Sequence, residues 1–140
     1  MAEPASHRHA SRIGRAVCAL AFATAVALDA SAGRAAECAA SPRDRIVLAA
    51  DAPDPDVFVW DEATRLIQYS LGKWSNTRSI MLHTVLAHPG TQAVVVACVR
   101  GAVHTKYAAG ADDALRLRMT SGPYRGRFGW VSSSDAHPAR

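Results

Sequence analysis

The stretch "ALRLRMTSGPYRGRFGWVSSSD", residues 114–135, contains the strongest fold signal in the chain. Leu115, Leu117 and Met119 alternate with polar residues, which is the period of a strand that buries one of its two faces. Gly122-Pro123 interrupts the pattern, and a second apolar run then restores it. The stretch predicts a β-hairpin, and we expect one core to contain Leu115, Leu117, Trp130 and Val131.

Short apolar runs separated by turn residues extend this β character over most of the chain. "RIVLAA" (45–50) and "VFVW" (57–60) have strand-like compositions, and the two prolines of the intervening "DAPDPD" exclude a helix or a central strand there. Later segments also predict strands: "SIMLHTVLA" (79–87), "TQAVVVACV" (91–99) and "AVHTKY" (102–107). The separators "HPG", "RG" and "AAGADD" all contain glycine, a spacing typical of a small antiparallel barrel or sandwich.

One segment has a helical period instead. Its apolar residues recur at helical spacing, and they are Ala63, Leu66, Ile67, Leu71 and Trp74. Asp61 stands where a residue could cap the helix, and Gly72 stands where glycine favours the end of one. These signals predict a helix near residues 62–71.

The hairpin also resembles a known family. The pattern "G-P-x-x-G-R-x-G-W-V" followed by "S-S-x-D", together with the earlier "PGTQAVVV", is similar to bacterial SH3-like (SH3b-type) domains of exported proteins over residues 89–135. The resemblance implies a mainly β fold, a small SH3-like antiparallel barrel over residues 45–137, into which the helix near 62–71 is inserted. Such motifs indicate a fold more specifically than a function.

The first residues predict export. Arg8, Arg12 and Arg15 precede the uncharged run "AVCALAFATAVAL", and Ala30-Ser31-Ala32 follows it. A basic region, a short apolar region and small residues at a cleavage position form a secretory signal. A helix of this apolar run would be only about 20 Å long, too short for a bilayer core of about 30 Å. We therefore expect residues 1–32 to be a cleavable signal peptide, residues 33–44 to be an extended segment, and the product to be periplasmic or secreted without a stable membrane span.

The charge balance after the signal is mild. Residues 33–140 contain 13 Lys+Arg and 10 Asp+Glu, which gives a net charge of +3. A positive charge this small does not by itself indicate a nucleic-acid partner. The sequence of the predicted hairpin also resembles the KOW element of ribosomal and transcription proteins, an SH3-like barrel that contacts RNA. Export would separate the protein from RNA, so we expect no nucleic-acid partner.

Cleavage would also remove Cys18 and leave Cys38 and Cys98. Two cysteines in an exported chain most simply form one disulfide. A redox pair would favour closely spaced cysteines such as C-x-x-C, and these two are far apart in the sequence. We therefore predict a structural Cys38–Cys98 bridge.

Four arginines and one tyrosine on the hairpin are the candidate ligand-binding residues. An ordinary solvated face is one interpretation of this set. The functional interpretation is a cationic patch with an aromatic rim that binds an acidic or glycan-like ligand, because guanidinium groups form bidentate contacts with carboxylates and phosphates. The candidate residues are Arg116, Arg118, Tyr124, Arg125 and Arg127.

The sequence contains no recognisable catalytic or metal-binding motif. The histidines at 83, 88, 104 and 137 form no metal-ligand motif, although His83 and His104 could meet across strands. The aspartates of residues 51–56 lack the glycine and distal glutamate of an EF-hand loop. "SSSDAH" (132–137) contains the residue types of a catalytic triad, but a triad is defined by geometry and not by sequence neighbours. We expect no catalytic residue, no metal and no cofactor.

These observations favour a non-catalytic, exported binding module of the bacterial envelope that binds a cell-wall, polymer or protein ligand. Two alternatives remain open. The first is a small periplasmic or secreted inhibitor that uses a loop against an enzyme. The second is a hydrolase whose site is assembled from separate strands, which a deep polar pocket with converging histidine and aspartate residues would favour.

Overall fold

The computed structural model describes residues 37–50, 56–105 and 110–140. The predicted signal peptide, residues 33–36 and most of the acidic turn at 51–56 lie outside the described residues. Two α-helices, seven strands and one 3₁₀ turn are described. The strands are β1 (Arg45–Leu48), β2 (Val57–Trp60), β3 (Thr84–Ala87), β4 (Gln92–His104), β5 (Ala111–Met119), β6 (Phe128–Ser132) and β7 (Ala136–Pro138). The helices are α1 (Ala63–Ser70) and α2 (Thr77–His83), and the 3₁₀ turn covers Ser133–Asp135.

The seven strands form one antiparallel sheet in the order β3-β2-β6-β5-β4-β1-β7, which curls into a half-barrel. The predicted mainly β fold class is therefore confirmed. The hairpin of β5 and β6 lies at the centre of the sheet, and Leu117 is paired with Gly129 across it. The "S-S-x-D" segment follows directly and forms the 3₁₀ turn at Ser133–Asp135.

Alternation along the strands divides the sheet into an inner and an outer face. The inner face contains the main hydrophobic core, whose buried side chains include Leu48, Val59, Val95, Leu117 and Val131. The outer face contains a second cluster at one end, where Trp60, Leu66, Val103 and Ala114 are buried. The two helices therefore cover only part of the outer face.

Helix α1 agrees with the predicted helix to within one residue at each end. Gly72 adopts a φ of 71° just after it, a left-handed conformation that glycine adopts without steric cost. Asp61 does not cap the helix, because Glu62 is the capping residue and makes no side-chain cap bond. The carboxylate of Asp61 instead pairs with Arg65 one turn later.

Two of the predicted strand assignments were wrong. Residues 79–83 belong to helix α2, and only Thr84–Ala87 of "SIMLHTVLA" forms a strand. The helix begins where the side chain of Asn76 accepts a hydrogen bond from the backbone N–H of Arg78, a capping contact that fixes a helix start. His83 is therefore not on a strand facing His104.

The second error concerns "RG" at 100–101, which does not separate two strands. β4 runs through it as one strand with irregular register at two points, between Val95 and Ala97 and between Val99 and Val103. Gly101 lies in the second irregularity at a φ of 58°. Extra residues of this kind bend a strand without ending it.

Trp130 does not join the core that contains Val131. Adjacent residues of a strand point to opposite faces, so the expectation that both would share one core was inconsistent with the strand period. Val131 is fully buried on the inner face, whereas Trp130 is half-buried and packs against the outer cluster of Trp60 and Leu66.

The predicted disulfide is confirmed. Cys38 and Cys98 are joined, with their Cα atoms 6.4 Å apart, within the usual range for a bridge. The bridge connects the segment before β1 to the middle of β4. Neither described helix is long or apolar enough to cross a bilayer.

Candidate functional site

Two of the candidate arginines lie side by side on the outer face of β5. Arg116 and Arg118 are exposed, while Leu115, Leu117 and Met119 are buried behind them. Arg118 pairs with Val94 of β4 on one side and with Phe128 of β6 on the other. Directly paired residues project from the same face of a sheet, so these side chains form one surface. We call it the arginine face, and it consists of Val94, Arg116, Arg118 and Phe128, together with the exposed Val96 in the adjacent register shift of β4.

Apolar side chains on this surface are unusually exposed. Phe128 is 51 % exposed and Val96 is 38 % exposed. The guanidinium carbon of Arg116 lies 5.3 Å from the centre of the Phe128 ring, within the range of a cation–π contact. The arginine face therefore combines positive charge with apolar area.

The positive charge of this surface is not neutralised within the described ranges. The ion pairs among those residues involve Arg65, His83 and His88, and none involves Arg116 or Arg118. Two aspartates that could have compensated the charge have other partners. Asp112 accepts a hydrogen bond from Ser132, and Asp113 accepts bonds from the backbone N–H groups of Ala39 and Gly101.

The other three candidate residues lie apart from this surface. Arg127 directly precedes Phe128 and therefore points away from the arginine face. Its guanidinium group lies 5.7 Å from the ring centre of Tyr124, and Tyr124 packs against the inner core. Arg125 is exposed in the turn between the strands. The turn thus brings Arg127 to Tyr124.

Phe128 and a further arginine, Arg45, were not among the candidate ligand-binding residues. Arg45 of β1 pairs with Val94, so it lies in the same cross-strand row as Arg118. Its signal was present in "RIVL", where Arg45 and Val47 alternate with the buried Ile46 and Leu48. The alternation places Arg45 on the outer face.

Beside Arg45 is a cavity of about 360 Å³ at the ends of β1, β4 and β5. Its lining consists of Arg45, Ile46, Gln92, Ala93, Thr120, Ala139 and Arg140. No histidine or aspartate lines it, so this cavity offers no support for the hydrolase alternative.

A separate charged cluster joins the two helices. Arg65 pairs with Asp61 and, at 3.2 Å, with Glu62, and its guanidinium nitrogen lies 2.7 Å from Nδ1 of His83. Partial burial opposes ionisation of Asp61, but hydrogen bonds from His83 and Arg65 outweigh it and hold the pKa of Asp61 below its ordinary 3.8. This cluster connects α1 to the end of α2 and so serves a structural role.

Among the described residues, one group of three side chains has metal-ligand spacing, namely Cys38, Cys98 and Asp113. Both sulfur atoms of this group are joined in the disulfide. Each oxygen of Asp113 already accepts a backbone hydrogen bond. The disulfide and these hydrogen bonds therefore explain why the three side chains lie close together.

Comparison with known proteins finds no matching family model, no matching curated protein and no matching solved structure.

Proposed function

We propose that this chain is a non-catalytic binding module of the bacterial envelope, an SH3-like domain that binds an anionic ligand on the arginine face. The ligand is a cell-wall component, a secreted polymer or a protein with acidic groups. The observation that supports this proposal most directly is the pair of exposed arginines, Arg116 and Arg118, which have no ion-pair partner among the described residues.

The spacing of the pair suits a ligand with repeated anionic groups. Residues i and i+2 of a strand lie about 7 Å apart on the same face, so Arg116 and Arg118 can contact successive carboxylates or phosphates. Phe128 and Val96 add apolar area beside the charges, which suits the aliphatic or ring carbons between those groups. Binding would combine bidentate guanidinium contacts with burial of apolar surface.

Export is part of the proposal. The disulfide between Cys38 and Cys98 supports it, because such bonds persist in oxidising compartments such as the periplasm and the extracellular space. The signal-like residues before position 33 are consistent with the same location.

The test is a charge reversal. We expect Arg116→Glu combined with Arg118→Glu to reduce binding to purified peptidoglycan sacculi or to soluble poly-glutamate at least tenfold in a sedimentation assay. Binding by the unmodified protein should also weaken as salt rises, because surface charges are screened. Both arginines are exposed, so the melting temperature should change little.

The matched control is Lys73→Glu combined with Arg78→Glu, which changes the net charge equally on the helical side of the domain. This control should bind as the unmodified protein does. Equal losses in both double variants would show that net charge alone drives the interaction, and unchanged binding in the Arg116/Arg118 variant would refute the proposal.

A further inference from the structure

The cavity beside Arg45 has a lining that is rich in hydrogen-bond donors. Four of its side chains are polar: Arg45, Gln92, Thr120 and Arg140. The two guanidinium groups provide donors only, and the amide and the hydroxyl each provide at least one donor. No Asp or Glu side chain lines the cavity, and its two guanidinium groups give the side-chain lining a positive charge.

The backbone groups around the cavity already have partners. Thr120 donates its N–H to the carbonyl oxygen of Gln92 at 2.8 Å, and Ala139 donates to the carbonyl oxygen of Arg45 at 3.0 Å. The N–H of Gln92 donates to Oγ of Ser121 at 2.8 Å. These bonds fix the backbone around the cavity, so the polar side chains of the lining are the groups available to a ligand.

The side-chain donors themselves have no hydrogen-bond or ion-pair partner among the described residues. None of the side-chain bonds found there involves the guanidinium group of Arg45 or Arg140, the amide of Gln92 or the hydroxyl of Thr120. Two unpaired cations and two neutral donors around one cavity are the complement of an oxyanion.

We infer that this cavity is a binding site for a carboxylate or phosphate group carried on a small polar molecule. Arg45 and Arg140 supply the charge, and Gln92 and Thr120 orient the group through neutral hydrogen bonds. A volume of about 360 Å³ lies at the lower end of the range for ligand pockets, about 300–1,000 Å³. The cavity therefore has room for the anionic group and a few further atoms.

The cavity lining shares no residue with the arginine face. Arg45 and Arg118 are divided by the strand that carries Val94, so their backbones lie two strand spacings apart, about 10 Å. The inference thus extends beyond the proposed function and does not depend on it.

The experiment is an NMR titration of ¹⁵N-labelled protein with inorganic phosphate and, separately, with acetate at constant ionic strength. We expect saturable shifts at the backbone amides of Gln92 and Thr120 and at Nε of Arg45, with millimolar affinity for at least one anion. The amides near Lys73 and Arg78 serve as the internal reference and should not saturate. The two arms distinguish a phosphate site from a carboxylate site.

Arg45→Gln should weaken this binding at least tenfold, because it removes one guanidinium group from an exposed position without disturbing the core. Arg78→Gln is the matched control and should have no effect. Linear, unsaturated shifts with both anions would overturn the inference, as would an unchanged affinity in Arg45→Gln combined with Arg140→Gln.

The variant with Arg116→Glu and Arg118→Glu separates this inference from the proposed function. It should lose polymer binding yet still show saturable shifts at Gln92 and Thr120, with affinity reduced only by the more negative surroundings. Polymer binding without saturable anion binding would refute the cavity site alone.

Discussion

Phe128 and Trp130 lie two residues apart on the same face of β6, yet their surroundings differ sharply. Trp130 packs into a cluster with Trp60 and Leu66 beneath the helical region, while Phe128 is 51 % exposed beside Arg116. Strand period gives both residues the same direction. Their solvent exposure differs because the two helices cover only the end of the outer face where Trp130 lies.

The difference shows how one sheet face can serve two purposes. At the covered end, the ring of Trp60 lies 5.1 Å from that of Tyr69 and 5.6 Å from that of Trp74, which are ordinary separations for packed aromatic pairs. At the uncovered end, the aromatic ring contacts a guanidinium group instead. The first arrangement stabilises the domain, and the second leaves a surface for recognition.

Truncation of one aromatic residue at each end of the outer face should produce the largest difference in stability. Trp60 is only 1 % exposed, so Trp60→Ala should lower the free energy of unfolding by about 3–5 kcal/mol. Phe128→Ala removes an exposed ring and one cation–π contact and should cost about 1 kcal/mol or less. Urea denaturation of both variants measures the difference. Equal costs at the two ends would contradict a division into core and surface.

A smaller effect is expected where β6 contacts β2 on the inner face. A Cβ atom at Gly129 would overlap Cγ1 of Val59 and lie 3.0 Å from the carbonyl oxygen of Trp60. Gly129→Ala should therefore cost about 1–3 kcal/mol through overpacking, and thermal denaturation would show it.

Gly110→Ala is the control for that substitution, because a Cβ atom there meets nothing within 4 Å. It should leave the melting temperature nearly unchanged. If Gly129→Ala were equally harmless, β2 and β6 would not approach as closely as the structure shows.

The smallest effect concerns the charged cluster at the covered end. The pKa of Asp61 is lower in the folded protein than its ordinary 3.8, since partial burial is outweighed by bonds from His83 and Arg65. Its contribution to stability is therefore present above pH 3.8 and is lost as the pH falls through the folded value. Because the Asp61 side chain is 45 % exposed, solvent screening limits this contribution to a few tenths of a kcal/mol.

The measurement is the free energy of unfolding from pH 7 to pH 3 for the unmodified protein and for Asp61→Asn. The two curves should differ near neutral pH and converge at the acid end. Other carboxylates titrate in both proteins and cancel in the difference. A gap that widened with acid would mean that Asp61 is destabilised, and not stabilised, by its neighbours.

Much of the fold could be predicted because strand period is a local property of the sequence. The bounds of β2 match the predicted segment, and the alternation in β5 assigns Arg116 and Arg118 to the outer face as expected. Helix α2 was missed because apolar residues at 79–83 suit a strand as well as a helix. Its only clear signal was Asn76, whose capping bond depends on the conformation of the next two residues.

The candidate site was less predictable because it depends on which strands become neighbours. Arg45 lies 71 residues before Arg116 in the sequence and reaches the same face only through the pairing of β1 with β4. The contact between Arg127 and the Tyr124 ring likewise depends on the conformation of the turn that joins β5 to β6. Sequence patterns assign a face within one strand, but pairing across the sheet assembles the site.

The hydrogen bonds of Asp113 determine how the two bridged segments behave when the disulfide is reduced. Its two oxygens accept bonds from the N–H of Ala39 at 2.6 Å and from the N–H of Gly101 at 2.8 Å, one on each of the two segments that the bridge joins. These bonds do not depend on the sulfur atoms, so the carboxylate would continue to hold both segments after the bridge opens. The thiols would then meet at a high effective concentration, as in an intramolecular reaction. A mild oxidant could close the bridge again without a search by the unfolded chain.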